Sequence, residues 1–89
     1  MQNILVVCVG NICRSPVGER LLASELPDAH VTSAGIGALV GHAADETATQ
    51  VAAAHNLQLN GHKARQFTPE IGEENDLILV MEAGRGSRR

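Results

Sequence analysis

The sequence predicts an α/β fold, a parallel sheet with helices on both faces in a three-layer arrangement. Three observations carry this. Residues 4–9 and 77–81 are apolar at every position, the pattern of strands covered on both faces by other elements. Helix-start signals alternate with these runs, Ser15-Pro16 after the first and Thr68-Pro69 before the last, each a capping residue followed by a proline suited to a first helical turn. Phe67 is the only aromatic residue in a chain that is 44% hydrophobic. Val, Leu, Ile and Ala must therefore build the core, as in a sheet packed with small-residue helices.

Taken in order, residues 4–9 form the first strand, ending at Cys8 and Val9. Gly10 and Asn11 then supply residue types that tolerate a left-handed turn. A helix is expected with Ser15 as its N-cap and Pro16 at its first position, burying a stripe of Val17, Leu21, Leu22 and Leu26 and ending at Pro27,. Residues 30–35 read as a second strand of mixed character, suited to an edge. Gly35, Gly37 and Gly41 mark a mobile loop around Ile36, Ala38, Leu39 and Val40. Asp45 is expected to cap a second helix bearing Ala48, Val51, Ala52 and His55 on one face, with Asn56 as its left-handed stop. Residues 57–67 turn at Asn60-Gly61 and show no sustained period. Thr68 and Pro69 open a short acidic turn, and Asp76 precedes the third strand.

With 89 residues the chain holds at most one domain,, read as residues 1–83, followed by a disordered basic tail at 84–89. The net charge of −3 and the missing aromatic platforms argue against a nucleic-acid partner,. No positive leader precedes the first strand and no apolar run approaches membrane-spanning length, so a cytoplasmic protein without a membrane partner is expected. In a sheet ordered 2-1-3, the third strand would be an exposed apolar edge. That strand reads as lacking a neighbour and a covering helix, so the sequence looks incomplete at its C-terminus, and the free edge is a candidate for self-association.

The chemistry concentrates between Cys8 and Arg14, which are separated by five residues. A strand running through a tight turn into a helix can hold an anion on successive amides and the helix N-terminus. Arg14 adds a bidentate grip for phosphate oxygens. The same field favours a thiolate at Cys8 and makes it a nucleophile. Val9, Gly10, Asn11, Ile12, Cys13, Arg14 and Ser15 would bind the phosphate, Ser15 also supporting the thiolate. Two readings stay open for Cys13: a core-facing residue, or a thiol that pairs reversibly with Cys8 against over-oxidation. Leu39 and Val40 are either a contact within their loop or a wall of the substrate pocket. His30, His42, His55 and His62 are scattered and read as surface or helix-face residues, and Lys63 and Arg65 as solvated loop charges. No metal site or cofactor is expected, because the cysteine spacing fits no common zinc motif.

The run VCVGNICRSP resembles the signature of low-molecular-weight protein tyrosine phosphatases, and SAGIGALVG, HKARQ and DLILVME continue the likeness in order. Bacterial members acting with capsule or exopolysaccharide tyrosine autokinases are the most similar in character. The resemblance implies Cys8 as nucleophile through a phosphocysteine, Arg14 as phosphate clamp, Asn11 as keeper of the strained loop, and a sheet ordered 2-1-3-4. It also implies phosphotyrosine proteins as substrates, such an autokinase among them, and inorganic phosphate as a ligand. The family's general acid lies in an Asp-Pro loop, and none of the three prolines here follows an Asp. Weak turnover is therefore expected. A non-catalytic phosphate-binding module is the alternative, with a thiol arsenate reductase ranked lower because only two cysteines are present.

Overall fold

A computed structural model describes residues 2–81. It contains β1 (Asn3–Cys8), α1 (Arg14–Glu25), β2 (His30–Gly35), α2 (Glu46–Ala54), α3 (Pro69–Glu73) and β3 (Leu77–Val80). The expected domain end at residue 83 and the tail at 84–89 lie outside the described residues.

The three strands form one parallel sheet in the order β2-β1-β3. The register sets Cys8 beside Gly35 at one end of β1 and Val7 beside Val80 on the other side. β1 is the hub, and Ile4, Leu5, Val6, Val7 and Cys8 are all buried. Successive side chains of a strand point to opposite faces. Leu5 and Val7 accordingly join Ala34 in a cluster covered by Phe67 and by Ile71 of α3, while Val6 faces α1. Helices thus lie on both faces of the sheet.

Local signals set most element ends. Asp45 Oδ2 accepts from Ala48 N at 3.0 Å and caps α2. Asn56, just beyond α2, takes φ 66°. Thr68 accepts from Ile71 N, with Pro69 opening α3. Asp76 Oδ2 accepts from Asn3 N at 2.8 Å, tying the start of β3 to the start of β1.

Four expectations are corrected. The first helix begins at Arg14 with Cys13 at its N-cap and no side-chain cap bond; Ser15 and Pro16 are two positions further in than expected, because the Ser15 hydroxyl is engaged with Cys8 and Asn11. The buried face of α1 is Ser15, Pro16 and Gly18, while Leu21 and Leu26 are 46% and 41% exposed. The reason is close packing at the N-terminal half. A Cβ on Gly18 would come within 3.2 Å of Val6 Cγ1 and 2.9 Å of Met81 Sδ. The left-handed residue of the turn is Asn11, with φ 59°, whereas Gly10 has no positive φ. The loop after β2 is tied down: Gly37 N and Leu39 N donate to the carbonyls of Val9 and Gly10 at 2.9 and 3.1 Å. At the far edge, Leu77, Ile78, Leu79 and Val80 are each at least 36% exposed, as the order 2-1-3 requires of a strand with one neighbour.

These packing differences set the stability expectations. Leu5→Ala removes a fully buried side chain and is expected to cost about 2–5 kcal/mol, whereas Leu21→Ala, on a part-exposed position, should cost well under half of that. Urea titration of both variants measures the contrast; equal losses would contradict the assignment of the core to the β1 faces.

Candidate phosphate-binding site

The site is built at the C-terminal end of β1, where the chain leaves the sheet and re-enters as α1. Cys8, the last residue of β1, is 7% exposed. Its Sγ lies 2.9 Å from Ser15 Oγ and accepts from Asn11 N at 3.3 Å. Residues 9–13 therefore curl around the sulfur, and α1 starts on the far side with Arg14 exposed at its mouth. The N-terminal amides of α1 and their partial positive charge are directed toward this loop.

Asn11 fixes the loop's shape. It is fully buried and left-handed, a conformation that a short polar side chain can support by local bonding. Asn11 Nδ2 donates to Ser15 Oγ at 2.7 Å, and Asn11 Oδ1 accepts from Arg65 N at 2.8 Å. The Asn11 carbonyl lies 2.6 Å from His62 Nε2. A carbonyl can only accept, so this ring nitrogen carries the proton. By the same accounting, Ser15 Oγ accepts from Asn11 and so has its hydroxyl proton free to point at the Cys8 sulfur.

That arrangement controls both thiols. Burial pushes Cys8 up, but the Ser15 hydroxyl together with the amides of Ser15, Asn11 and Cys13 outweighs it and holds the thiol below its ordinary value,. Cys13 moves the opposite way: burial, then the Asp45 carboxylate and Cys8, push it up against the opposing pull of Arg14. One loop thus carries a thiol disposed to ionise and a second disposed to stay protonated.

The expected residues come together in part. Cys8, Val9, Gly10, Ile12, Cys13 and Arg14 line one end of a cavity of about 1120 Å³ that continues as an apolar groove past Val17 and Leu21 of α1 and Val51 of α2. Asn11 and Ser15 stand behind that lining, fully buried. Leu39 and Val40 lie outside the cavity, exposed on the adjoining loop. His62 corrects its surface reading, since it is 7% exposed and bonded to the loop. Arg65, read as a solvated charge, also braces the site: its amide holds Asn11 and its Nε donates to Ser33 O at 2.8 Å. The available signal for these two was a stretch, 62–66, polar at every position but Ala64 and with neither helical nor strand period. Such a run has its hydrogen-bonding groups free to serve another segment. Among the described residues no group of three or more His, Cys, Asp or Glu could hold a metal ion, and no helix is long and apolar enough to cross a membrane.

Residues 3–88 match the family model described as low molecular weight phosphotyrosine protein phosphatase. The chain is 61% identical over 81 residues to the low molecular weight protein-tyrosine-phosphatase Wzb of Escherichia coli K12, covering 91% of this chain and 55% of that protein. It is 55% identical over 82 residues to the probable phosphatase AmsI of Erwinia amylovora, covering 92% of this chain and 57% of that one. The crystal structure of Wzb from Escherichia coli K30 in complex with sulphate superposes with a TM-score of 0.89 at 50% identity, covering 99% of this chain and 62% of that one. The chain thus spans little more than half the length of the curated relatives it matches.

The opposed thiols give a pH-dependent expectation. Iodoacetate alkylation of Cys8 should reach half its maximal rate at a lower pH than that of a free cysteine, and that of Cys13 at a higher one,. Near neutral pH the buried Cys8 should therefore react before the exposed Cys13, and the order should weaken as pH rises. For stability the sign is the same: the lowered Cys8 value adds a contribution that is complete above the unfolded thiol's value and fades as pH falls through the folded one. Labelling ranked by exposure, with Cys13 first across the whole range, would contradict this account.

Proposed function

The chain belongs to the low molecular weight phosphotyrosine protein phosphatase family, and from that premise we propose that its 8–15 loop binds the phosphoryl group of a phosphotyrosine and that Cys8 attacks it. The observation that carries this reading is the setting of the Cys8 sulfur. It lies within hydrogen-bond reach of Ser15 Oγ and Asn11 N, on the floor of a turn closed by Arg14.

In this mechanism the Cys8 thiolate forms an S–P bond in line as the P–O bond to the tyrosine oxygen breaks. The loop amides and the Arg14 guanidinium hold the equatorial oxygens, whose charge grows in the transition state. The Ser15 hydroxyl supports the thiolate before attack and again as it leaves. Water then attacks phosphorus, the S–P bond breaks, and phosphate is released with the thiolate restored. Val9, Ile36, Leu39 and Val40 are 60%, 61%, 46% and 65% exposed. Two main-chain bonds lay the loop bearing the last three beside residues 9 and 10. They offer the aryl ring an aliphatic rim. Cys13, in the same loop, is the proposed thiol partner of Cys8 under oxidation. The protein substrates would include a tyrosine autokinase of polysaccharide export, and the free edge of β3 is the proposed route to self-association of the 89-residue chain.

Leaving-group protonation is the step these residues do not cover. Asp45 is the only aspartate lining the cavity among the described residues, and its Oδ2 is engaged with Ala48 N as the cap of α2. General acid assistance is worth about 10²–10⁴-fold, so the 89-residue chain should depend steeply on leaving-group acidity.

The test is hydrolysis by the chain of aryl phosphates of graded leaving-group pKa, with Cys8→Ser as control. The expected result is turnover with nitrophenyl phosphate, a steep fall toward alkyl phosphates, and loss of all activity in Cys8→Ser. Activity that survives Cys8→Ser would overturn the nucleophile assignment, and equal rates for alkyl and aryl esters would show that the chain protonates the leaving group.

A further inference from the structure

Gln66 is exposed, yet its side-chain amide is bonded at both ends to main chain. Oε1 accepts from Ala38 N at 3.0 Å. Nε2 donates to Ile36 O at 2.6 Å and to Phe67 O at 3.2 Å. Its own backbone is anchored at the end of β2, where Gly35 N donates to Arg65 O and Phe67 N to Gly35 O at 2.9 and 2.7 Å. The side chain thus rises from a fixed point of the sheet and bridges two main-chain groups of the loop that follows β2. None of its bonds reaches residues 8–15; the loop after β2 meets those residues through its own main chain, Ile36 N, Gly37 N and Leu39 N donating to the carbonyls of Cys8, Val9 and Gly10, while Asn11 is held by Arg65 N and His62.

We propose that Gln66 is a positioning residue for the rim: it fixes Ile36–Leu39 beside the phosphate loop and thereby sets recognition of the group attached to phosphorus, while the phosphate loop is set without it. The inference rests on the proposed phosphate site and refines it. A surface amide making one bond is usually solvation. An amide that satisfies an N–H and a C=O two residues apart in one loop restrains both backbone segments, so its loss leaves the Ile36 carbonyl and the Ala38 amide unrestrained and the loop held by its main-chain bonds alone,. Gly37, between them, has nothing within 4 Å of a Cβ position, so no packed side chain there would take over the restraint.

The experiment measures protection of Cys8 from iodoacetate in the full chain, with inorganic phosphate and with benzylphosphonate, a phosphate mimic bearing an aromatic ring. The wild-type chain is expected to bind benzylphosphonate more tightly than phosphate. Gln66→Glu sets a carboxylate against the carbonyls of Ile36 and Phe67 and removes the donor; Gln66→Leu removes the polar groups without adding charge. Both variants should keep phosphate protection within about twofold and reduce the benzylphosphonate-to-phosphate preference by about fivefold, the loss expected from one net hydrogen bond's restraint. An unchanged preference in either variant, or a fall in both ligands by the same factor, would overturn the role of Gln66. A wild-type preference of one would overturn it too, since the rim would then touch no ring. Failure of phosphate to protect the wild-type chain would instead overturn the phosphate site itself, and the inference with it.

Discussion

Asn11 joins three stretches of chain at one residue. Its side chain ties the start of α1, through Ser15, to the 62–67 segment, through Arg65 N, and its carbonyl receives His62 from that same segment. All of this happens with a left-handed backbone and no solvent exposure. A buried amide left without partners costs about 1–3 kcal/mol, so the loop has one arrangement that satisfies every group and strained alternatives. The Cys8 environment depends on that arrangement, because Asn11 N contacts the sulfur directly and Asn11 Nδ2 orients the hydroxyl that faces it.

The parallel sheet explains why these segments meet. Strands running in one direction release their connections at the same end, and in this sheet that end gathers residues 8–15 after β1 and residues 35–42 after β2. The 62–67 segment closes the arrangement by pairing with Gly35 and by bonding Ala64 to both Gly41 and His42. Gly35 is the point of closest approach. A Cβ there would lie 2.5 Å from Val9 O and 3.0 Å from Asn11 N, so no larger residue fits without displacing the phosphate loop. The loop, the rim and their brace are therefore one assembly resting on β1, whose buried side chains are shared by both faces.

What the sequence disclosed and what it hid divide by range along the chain. The 4–20 stretch was legible because strand, turn and helix are local, and Cys8 and Arg14 fall within one turn of each other. The caps at Asp45 and Thr68, the left-handed stop at Asn56 and the edge character of residues 30–35 were legible for the same reason. Ser15 was misplaced as a cap because capping preference is a local propensity, and the bond to Cys8 is a tertiary one that overrides it. His62, Arg65 and Gln66 act across gaps of 51, 54 and 30 or 28 residues, and no local pattern encodes a partner so far away. Leu21 and Leu26 have helical spacing suited to burial, but which face of α1 meets the sheet is decided by Gly18 and its neighbours.

The Ser15 hydroxyl and the loop amides hold the Cys8 thiol below its ordinary value, and the Asn11 side chain keeps that hydroxyl and those amides in place. Asn11→Gly isolates this point, since glycine accepts the left-handed backbone and loses only the two side-chain bonds. The direct measurement is ultraviolet titration of the Cys8 thiolate in Asn11→Gly and in the wild-type chain, with far-ultraviolet circular dichroism confirming that the sheet persists. The account predicts that the Cys8 value rises toward that of free cysteine while the spectrum stays that of the folded chain. A folded Asn11→Gly chain whose Cys8 titrates as in the wild type would contradict it.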